Sequence, residues 1–145
     1  MPKNACILLN GYYDLTRSAW YQQQIQQPDT LLVAVDGGLH ACTPLGLRPV
    51  LIIGDFDSIS ESELTQFMGS EIVRLSKNKD FTDGEVAVRE CINRSVSDIT
   101  LFGALAVAGE TDQELGNIFM MHMAKKMAAQ KGITPFQIKL MDPRQ

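Results

Sequence analysis

Apolar residues gather along the chain in short runs at 5–9, 31–35, 50–53, 71–75, 98–102 and 136–140, each of strand length. Longer stretches of helical period lie between them. Strand-length runs alternating with helices are the pattern of βαβ units, so the sequence predicts an α/β fold. The expectation is a three-layer Rossmann-like domain around a mainly parallel sheet of about six strands.

Three helix starts carry capping boxes: Ser60 with Glu63, Thr82 with Glu85, and Thr111 with Glu114. They predict helices from 60 to about 68, over 86–93, and from 111 to about 130, beside softer ones at 16–27 and 38–45. In the last helix Leu115, Ile118, Phe119, Met123 and Met127 fall at core-facing spacing, with His122 on or near that face. Its methionines therefore read as packing rather than as a cofactor box.

At 145 residues and 45% hydrophobic content the chain fits one domain with one core. A net charge of −4 and the lack of any Lys/Arg run argue against a nucleic-acid partner, so a phosphate ligand is expected to arrive with a cation. Cys6, Cys42 and Cys91 stand singly among apolar neighbours without metal-type spacing, as small buried hydrophobes in a reducing cytosol do. No secretory leader or membrane-length apolar stretch is visible, so the expected protein is soluble and cytoplasmic. The final run, Ile138 to Asp142, looks like a strand entering a linker.

In an open parallel sheet, ligands bind beyond the carboxyl ends of the strands, where loops and helix N-termini converge. That rule selects Asp36-Gly37-Gly38, Gly54-Asp55-Phe56-Asp57-Ser58, Lys79-Asp80-Phe81-Thr82-Asp83, and 103–112. Asp55 and Asp57 lie two apart on an extended or turning segment, so both carboxylates can reach one cation. With Asp80 or Asp83 they make an oxygen-rich site suited to Mg²⁺. The competing reading is that each aspartate is a turn or cap residue, Asp83 and Asp112 merely answering a helix dipole. Gly37, Gly38 and Gly54 let backbone approach a ligand closely, Lys77 and Lys79 are placed to meet phosphate, and Asn10-Gly11 is an ordinary turn signal. His40 and His122 stand apart from these segments.

Together these residues resemble the catalytic domain of thiamine pyrophosphokinases. That family has Asp-Gly-Gly after its second strand, then a proline, a short apolar strand and Gly-Asp-Phe-Asp-Ser, then Lys-Asp-x-Thr-Asp. This chain matches with Asp36-Gly37-Gly38, Pro49, Gly54 to Ser58, and Lys79 to Asp83, in order and spacing over nearly its whole length. The resemblance implies that Asp55, Asp57, Asp80 and Asp83 are catalytic, holding Mg²⁺ and the triphosphate of ATP. It puts Asp36, Gly37, Gly38, Ser58, Lys79, Thr82, Asp112 and Asn117 on the nucleotide. The reaction it implies moves a pyrophosphoryl group to the hydroxyethyl oxygen of thiamine and releases AMP. It also implies a homodimer in which a C-terminal β-sandwich helps bind thiamine, so 1–145 is expected to be the nucleotide-binding catalytic domain without that sandwich.

One motif departs. Where the family has Gly-Gly-Arg-x-Asp-His, this chain has Glu110 at the arginine position and Gln113 at the histidine position, with two residues inserted. A carboxylate there repels a triphosphate that arginine would hold. Two alternatives stay open: a diverged nucleotide-binding relative without turnover, and a haloacid-dehalogenase-type phosphatase, which Asp55-Phe56-Asp57-Ser58 also resembles.

Overall fold

The computed structural model describes residues 2–57, 59–76, 81–104 and 111–144, with 111–115 described by their backbone alone. Six strands, β1 (Asn4–Leu8), β2 (Thr30–Val35), β3 (Leu51–Gly54), β4 (Glu71–Arg74), β5 (Asp98–Phe102) and β6 (Gln137–Leu140), form one sheet. Their order is β4-β3-β2-β1-β5-β6 and every pairing is parallel. Ala5 lies between Leu31 and Ile99, and Ile7 between Val33 and Leu101.

Because side chains alternate across a strand, the register sends Ile7, Val33, Leu51, Ile53 and Leu101 to one face and Leu8, Leu32, Ala34, Ile52 and Phe102 to the other. The first face is covered by α4 (Asp83–Asn93), through Ala87, Val88, Cys91 and Ile92, and by α5 (Thr111–Gln130), through Met120 and Ala124. The second is covered by α1 (Ser18–Ile25), α2 (Cys42–Leu45) and α3 (Glu61–Thr65), through Tyr21, Ile25, Leu45 and Leu64. A sheet buried on both sides needs unbroken rather than alternating apolar strands, which is why the runs are so plain in the sequence. The three layers are those expected.

Several elements differ from expectation in detail. The helix predicted at 16–27 opens as a 3-10 turn, Leu15–Arg17, capped by Asp14, before α1 begins. The helix predicted at 38–45 is likewise a 3-10 stretch, Asp36–Ala41, that tightens into α2. Ser60 and Thr82 cap as predicted, each hydroxyl accepting the amide three residues on, an arrangement that contributes about 1 kcal/mol apiece. Thr111 is the first described residue of α5, and the side chains of its predicted capping box with Glu114 lie outside the described residues.

The apolar stripe of α5 matches the predicted one only in part: Met127 packs against the core, Ile118 and Phe119 do not, and the Leu115 side chain lies outside the described residues. Met120, Ala124 and Ala128, four residues apart, are the buried set, whereas Ile118 is 56% and Phe119 72% exposed. Alanines let the helix lie close to the sheet, and that closeness sets the helix rotation more strongly than the bulk of Ile118 and Phe119. His122 is exposed as well, not on the apolar face.

All three cysteines are buried and free, and burial pushes each thiol up to about 12. Among the described residues no helix is long and apolar enough to cross a membrane.

Candidate functional site

The strand order reverses between β1 and β5, and in open α/β sheets such a reversal opens a crevice at the carboxyl ends. Here Tyr13 fills the gap between these two strands. Its hydroxyl donates to the carbonyl of Leu9 at 2.6 Å and reaches that of Phe102 at 3.3 Å. The open volume lies beside it, a crevice of about 330 Å³ over the ends of β1 and β2, lined among others by Asn10, Asp36, Thr82, Asp83, Glu85 and Asn117.

Three carboxylates converge in this region. Asp36 follows β2, Asp55 follows β3 and Asp83 opens α4, and one oxygen from each lies within 4.8 Å of the others, all three residues being half-buried. Asp36 adopts φ +44°, and its Oδ1 accepts the amide of Phe56 at 3.1 Å, while Phe56 sits at φ +63° with its ring in the core. Two residues in the left-handed region, facing each other across one hydrogen bond, are backbone strain held in place at a site. Gly54 makes this possible, because a Cβ there would stand 1.9 Å from Oδ1 of Asp36. The amide of Asp57 in turn donates to Oδ1 of Asp55 at 3.2 Å, which orients that carboxylate.

A carboxylate serving only the dipole at a helix start is stabilised in its charged form. Burial instead raises the pKa of Asp83, although the Asp55 amide donates to its carboxylate and works the other way. Burial works against the charge of Asp83 while Asp36 and Asp55 place carboxylate oxygens within 4.8 Å of it, an arrangement that a bound cation would relieve. Three hard oxygen donors with room beside them fit an ion such as Mg²⁺, which keeps some of its water and takes the rest of its shell from carboxylates and phosphates.

The remaining expected site residues fall in different places. Asp57 is exposed and outside the converging trio, its amide holding Asp55. Thr82 spends its hydroxyl on the α4 cap and lines the crevice. Asn117 lines it too, and donates to the carbonyl of Ala104 at 2.8 Å, tying α5 to the end of β5. Gly37 and Gly38 make room for the chain's own atoms: a Cβ would meet Asn10 Oδ1 at the first and the Leu8 carbonyl at the second, both at 2.1 Å. Ser58, Lys79 and Asp80 lie outside the described residues, as do Lys77, Glu110 and the side chains of Asp112 and Gln113. Sequence reasoning did not count Glu85 among the site residues, nor Asp36 among the metal-facing ones. Glu85 was masked by its capping-box role, and Asp36 joins Asp55 only through the parallel pairing of β2 with β3.

Residues 22–131 match the family described as thiamin pyrophosphokinase, catalytic domain. A thiamine pyrophosphokinase of Bacillus subtilis (strain 168) is 29% identical over 143 residues, spanning 97% of this chain and 56% of that protein. The crystal structure of thiamine pyrophosphokinase from Bacillus subtilis superposes with a TM-score of 0.75 at 26% identity, over 97% of this chain and 61% of that one. Yeast thiamin pyrophosphokinase shares the fold, with a TM-score of 0.71 at 16% identity over 98% of this chain and 59% of its own. The chain thus spans under two thirds of the length of these relatives.

Proposed function

Because the chain belongs to the thiamin pyrophosphokinase catalytic domain family, we propose that it is the part of a transferase that holds Mg²⁺ and ATP while a pyrophosphoryl group passes to thiamine. The thiamine hydroxyl oxygen bonds to the β-phosphorus and gives up its proton to solvent, the bond from that phosphorus to the α,β-bridging oxygen breaks, and AMP leaves with that oxygen. The observation that carries the reading is the convergence of Asp36, Asp55 and Asp83 within 4.8 Å at the strand ends.

Transfer of this kind is mostly positioning and neutralisation of charge, so it calls for carboxylates that hold a cation rather than for a covalent nucleophile. Asp36, Asp55 and Asp83 are the residues that would hold Mg²⁺, with Asp57 and Asp80 proposed alongside them. When bound, the ion supplies the positive charge that an acidic chain otherwise lacks at the triphosphate. Asp55 is kept oriented by the Asp57 amide and Asp36 by the Phe56 amide, so neither must reorganise as charge moves between oxygens. Gly37, Gly38, Ser58, Lys79, Thr82, Asp112 and Asn117 are proposed to surround the nucleotide.

The reading extends to a cytoplasmic homodimer, supported by three buried free thiols and by the exposed Ile118 and Phe119 of α5. Neither the phosphatase alternative nor the one without turnover is favoured by the family match.

Titration calorimetry with ATP, in Mg²⁺ and again in EDTA, tests the binding step. Tight binding in Mg²⁺ that is lost in EDTA is expected, and equal affinity in the two would overturn the metal-bridged site. Turnover with thiamine is expected to be slight for this span alone, and what chromatography detects should be AMP and thiamine diphosphate in equal amounts; ADP in place of AMP would overturn the pyrophosphoryl transfer.

A further inference from the structure

The carbonyl of Leu9, just past β1, stands at the reversal of strand order and is bounded from both sides. Its oxygen accepts the Tyr13 hydroxyl at 2.6 Å and the Gly11 amide at 3.1 Å. Toward β2 it abuts the turn that carries Asp36, because a Cβ at Gly38 would stand 3.2 Å from that oxygen. Toward β5, a Cβ at Gly103 would stand 2.6 Å from it and 2.3 Å from the Tyr13 hydroxyl. Gly103 takes φ +67°, so the chain leaving β5 turns through the left-handed region with no side chain where the phenol enters.

The fold does not need this hydroxyl to satisfy its carbonyls. Without it the Leu9 oxygen keeps the Gly11 amide, and the Phe102 oxygen, which the hydroxyl also reaches at 3.3 Å, keeps the Leu9 amide at 2.8 Å. The ring is held independently, by apolar contact with the core on the α1 side and by Tyr21, with ring centroids 5.9 Å apart. Phenylalanine would fill the same space and leave neither carbonyl without a donor. What the hydroxyl adds is geometry, a side-chain tie across the ends of β1 and β5.

That tie bears on the aspartates. Leu9 and Asn10 line the crevice together with Asp36 and Asp83. The side chain of Asn10 lies over Gly37, the residue after Asp36, where an added Cβ would stand 2.1 Å from Asn10 Oδ1. A shift of the Leu9 carbonyl therefore carries Asn10 with it and presses on the turn that presents Asp36.

We propose that Tyr13 is a positioning residue for the aspartate cluster: its hydroxyl fixes the Leu9 carbonyl and, through Asn10 and Gly37, keeps the Asp36 carboxylate where a divalent cation is held. The proposal rests on the function proposed above, in which Asp36 is a metal ligand. Tyr13 acts through the backbone it holds rather than by contact with the ion.

The test uses the full chain with Tyr13→Phe and, as control, Tyr21→Phe. Tyr21 belongs to the same aromatic cluster, but its hydroxyl accepts the Asp14 amide at 3.1 Å, at the cap ahead of α1 rather than at a strand end. Each variant loses one hydroxyl, so both should melt within a few degrees of the unmodified protein. Mn²⁺ alone is titrated by its paramagnetic resonance signal, well below the melting transition. Tyr13→Phe should weaken Mn²⁺ by about threefold or more, and Tyr21→Phe should leave it unchanged. A hydroxyl that only supports the core would lower the melting temperature without moving the affinity. Tyr13→Phe that binds Mn²⁺ as the unmodified chain does overturns the proposal. Equal losses in the two variants also overturn it, since the effect then comes from loosening the aromatic cluster, as does a Tyr13→Phe chain that fails to fold, since the remaining donors then do not suffice. If the unmodified chain binds no Mn²⁺, the aspartate reading fails and the proposal with it, an outcome visible before any variant is made.

Discussion

Gly54 ends β3 at the point where the carboxylate of Asp36, leaving β2, needs its space: a Cβ at Gly54 would stand 1.9 Å from Asp36 Oδ1. In an ordinary strand, alanine in place of glycine stabilises by reducing the freedom of the unfolded chain. Here Gly54→Ala must displace Asp36 and with it the bond from the Phe56 amide. It should cost about 1–3 kcal/mol in a denaturant titration. Affinity for Mg²⁺ or Mn²⁺ should fall about 10–100-fold, the range seen when the partner that orients a metal ligand is lost. Unchanged metal affinity would mean that Asp36 is not a ligand.

Asp55 and Asp57 lie two apart in sequence, and the structure separates their work. Asp55 belongs to the converging trio; Asp57 is exposed and holds Asp55 through its backbone amide, which a side-chain substitution leaves in place. Asp55→Asn should lower Mg²⁺-dependent ATP affinity by about 100-fold or more, and Asp57→Asn by a smaller factor near tenfold. Calorimetry on the two variants decides it. The reverse ranking would put Asp57, not Asp55, on the metal.

Burial raises the pKa of Asp83, so the fold favours the neutral carboxyl. Its contribution to stability is then present below the unfolded pKa and lost as pH rises through the folded one. Asp83→Asn removes that loss. Without metal, the variant should melt at or slightly above the unmodified protein near pH 7, by about 2 °C, with the gap closing toward pH 4. Adding Mg²⁺ should raise the melting temperature of the unmodified chain and leave the variant unmoved. A variant that melts lower at neutral pH would return Asp83 to a helix-start role.

Asp142 near the chain end is buried. Arg144 donates to its two oxygens through Nε at 2.9 Å and Nη2 at 3.0 Å, and the Arg144 amide donates at 2.8 Å. Burial raises the pKa of Asp142, but the bonds and charge of Arg144 outweigh it and leave the carboxyl below its ordinary value. Such a group contributes stability above the unfolded pKa and loses it as pH falls through the folded one. Arg144→Ala should therefore destabilise the fold at pH 7 and do so progressively less as pH falls below about 4. Chemical denaturation at the two pH values reads the difference, and a cost independent of pH would assign the loss to the contact of Arg144 with the Tyr12 ring instead.

With each thiol pushed up to about 12 by burial, Cys6, Cys42 and Cys91 should be inert to a thiol reagent at pH 8. Roughly one in ten thousand is then thiolate at equilibrium. Colour development with a disulfide reagent should be slow in buffer and rapid, at three equivalents per chain, in denaturant. Fast reaction of one thiol in the folded protein would show a local opening at that site.

The sequence by itself determined the layers and the neighbourhood of the site. A parallel sheet buried on both faces demands apolar runs, and these mark β1, β2, β3 and β5, the last at 98–102 to the residue, whereas the half-exposed edge strands β4 and β6 carry mixed runs. The Ser60 and Thr82 caps were legible because a hydroxyl and a glutamate three apart act locally. Aspartates just beyond strand ends pointed to the edge of the sheet where Asp36, Asp55 and Asp83 converge, because chain direction alone puts those ends together when strands are parallel. Tertiary structure decided what depends on neighbours distant in sequence. Asp36 meets Asp55 because β2 pairs with β3, and Asp83 joins them because α4 crosses to the ends of those strands. The glycines of Asp36-Gly37-Gly38 make room for the chain's own atoms because the 3-10 turning after β2 brings them against Asn10 and Leu8, which no local pattern encodes. The rotation of α5 was settled by Ala124 and Ala128, whose small side chains allow close approach to the sheet, leaving Ile118 and Phe119 outside. Periodicity states that a helix has an apolar side, but the helix and sheet it rests on choose which residues form it.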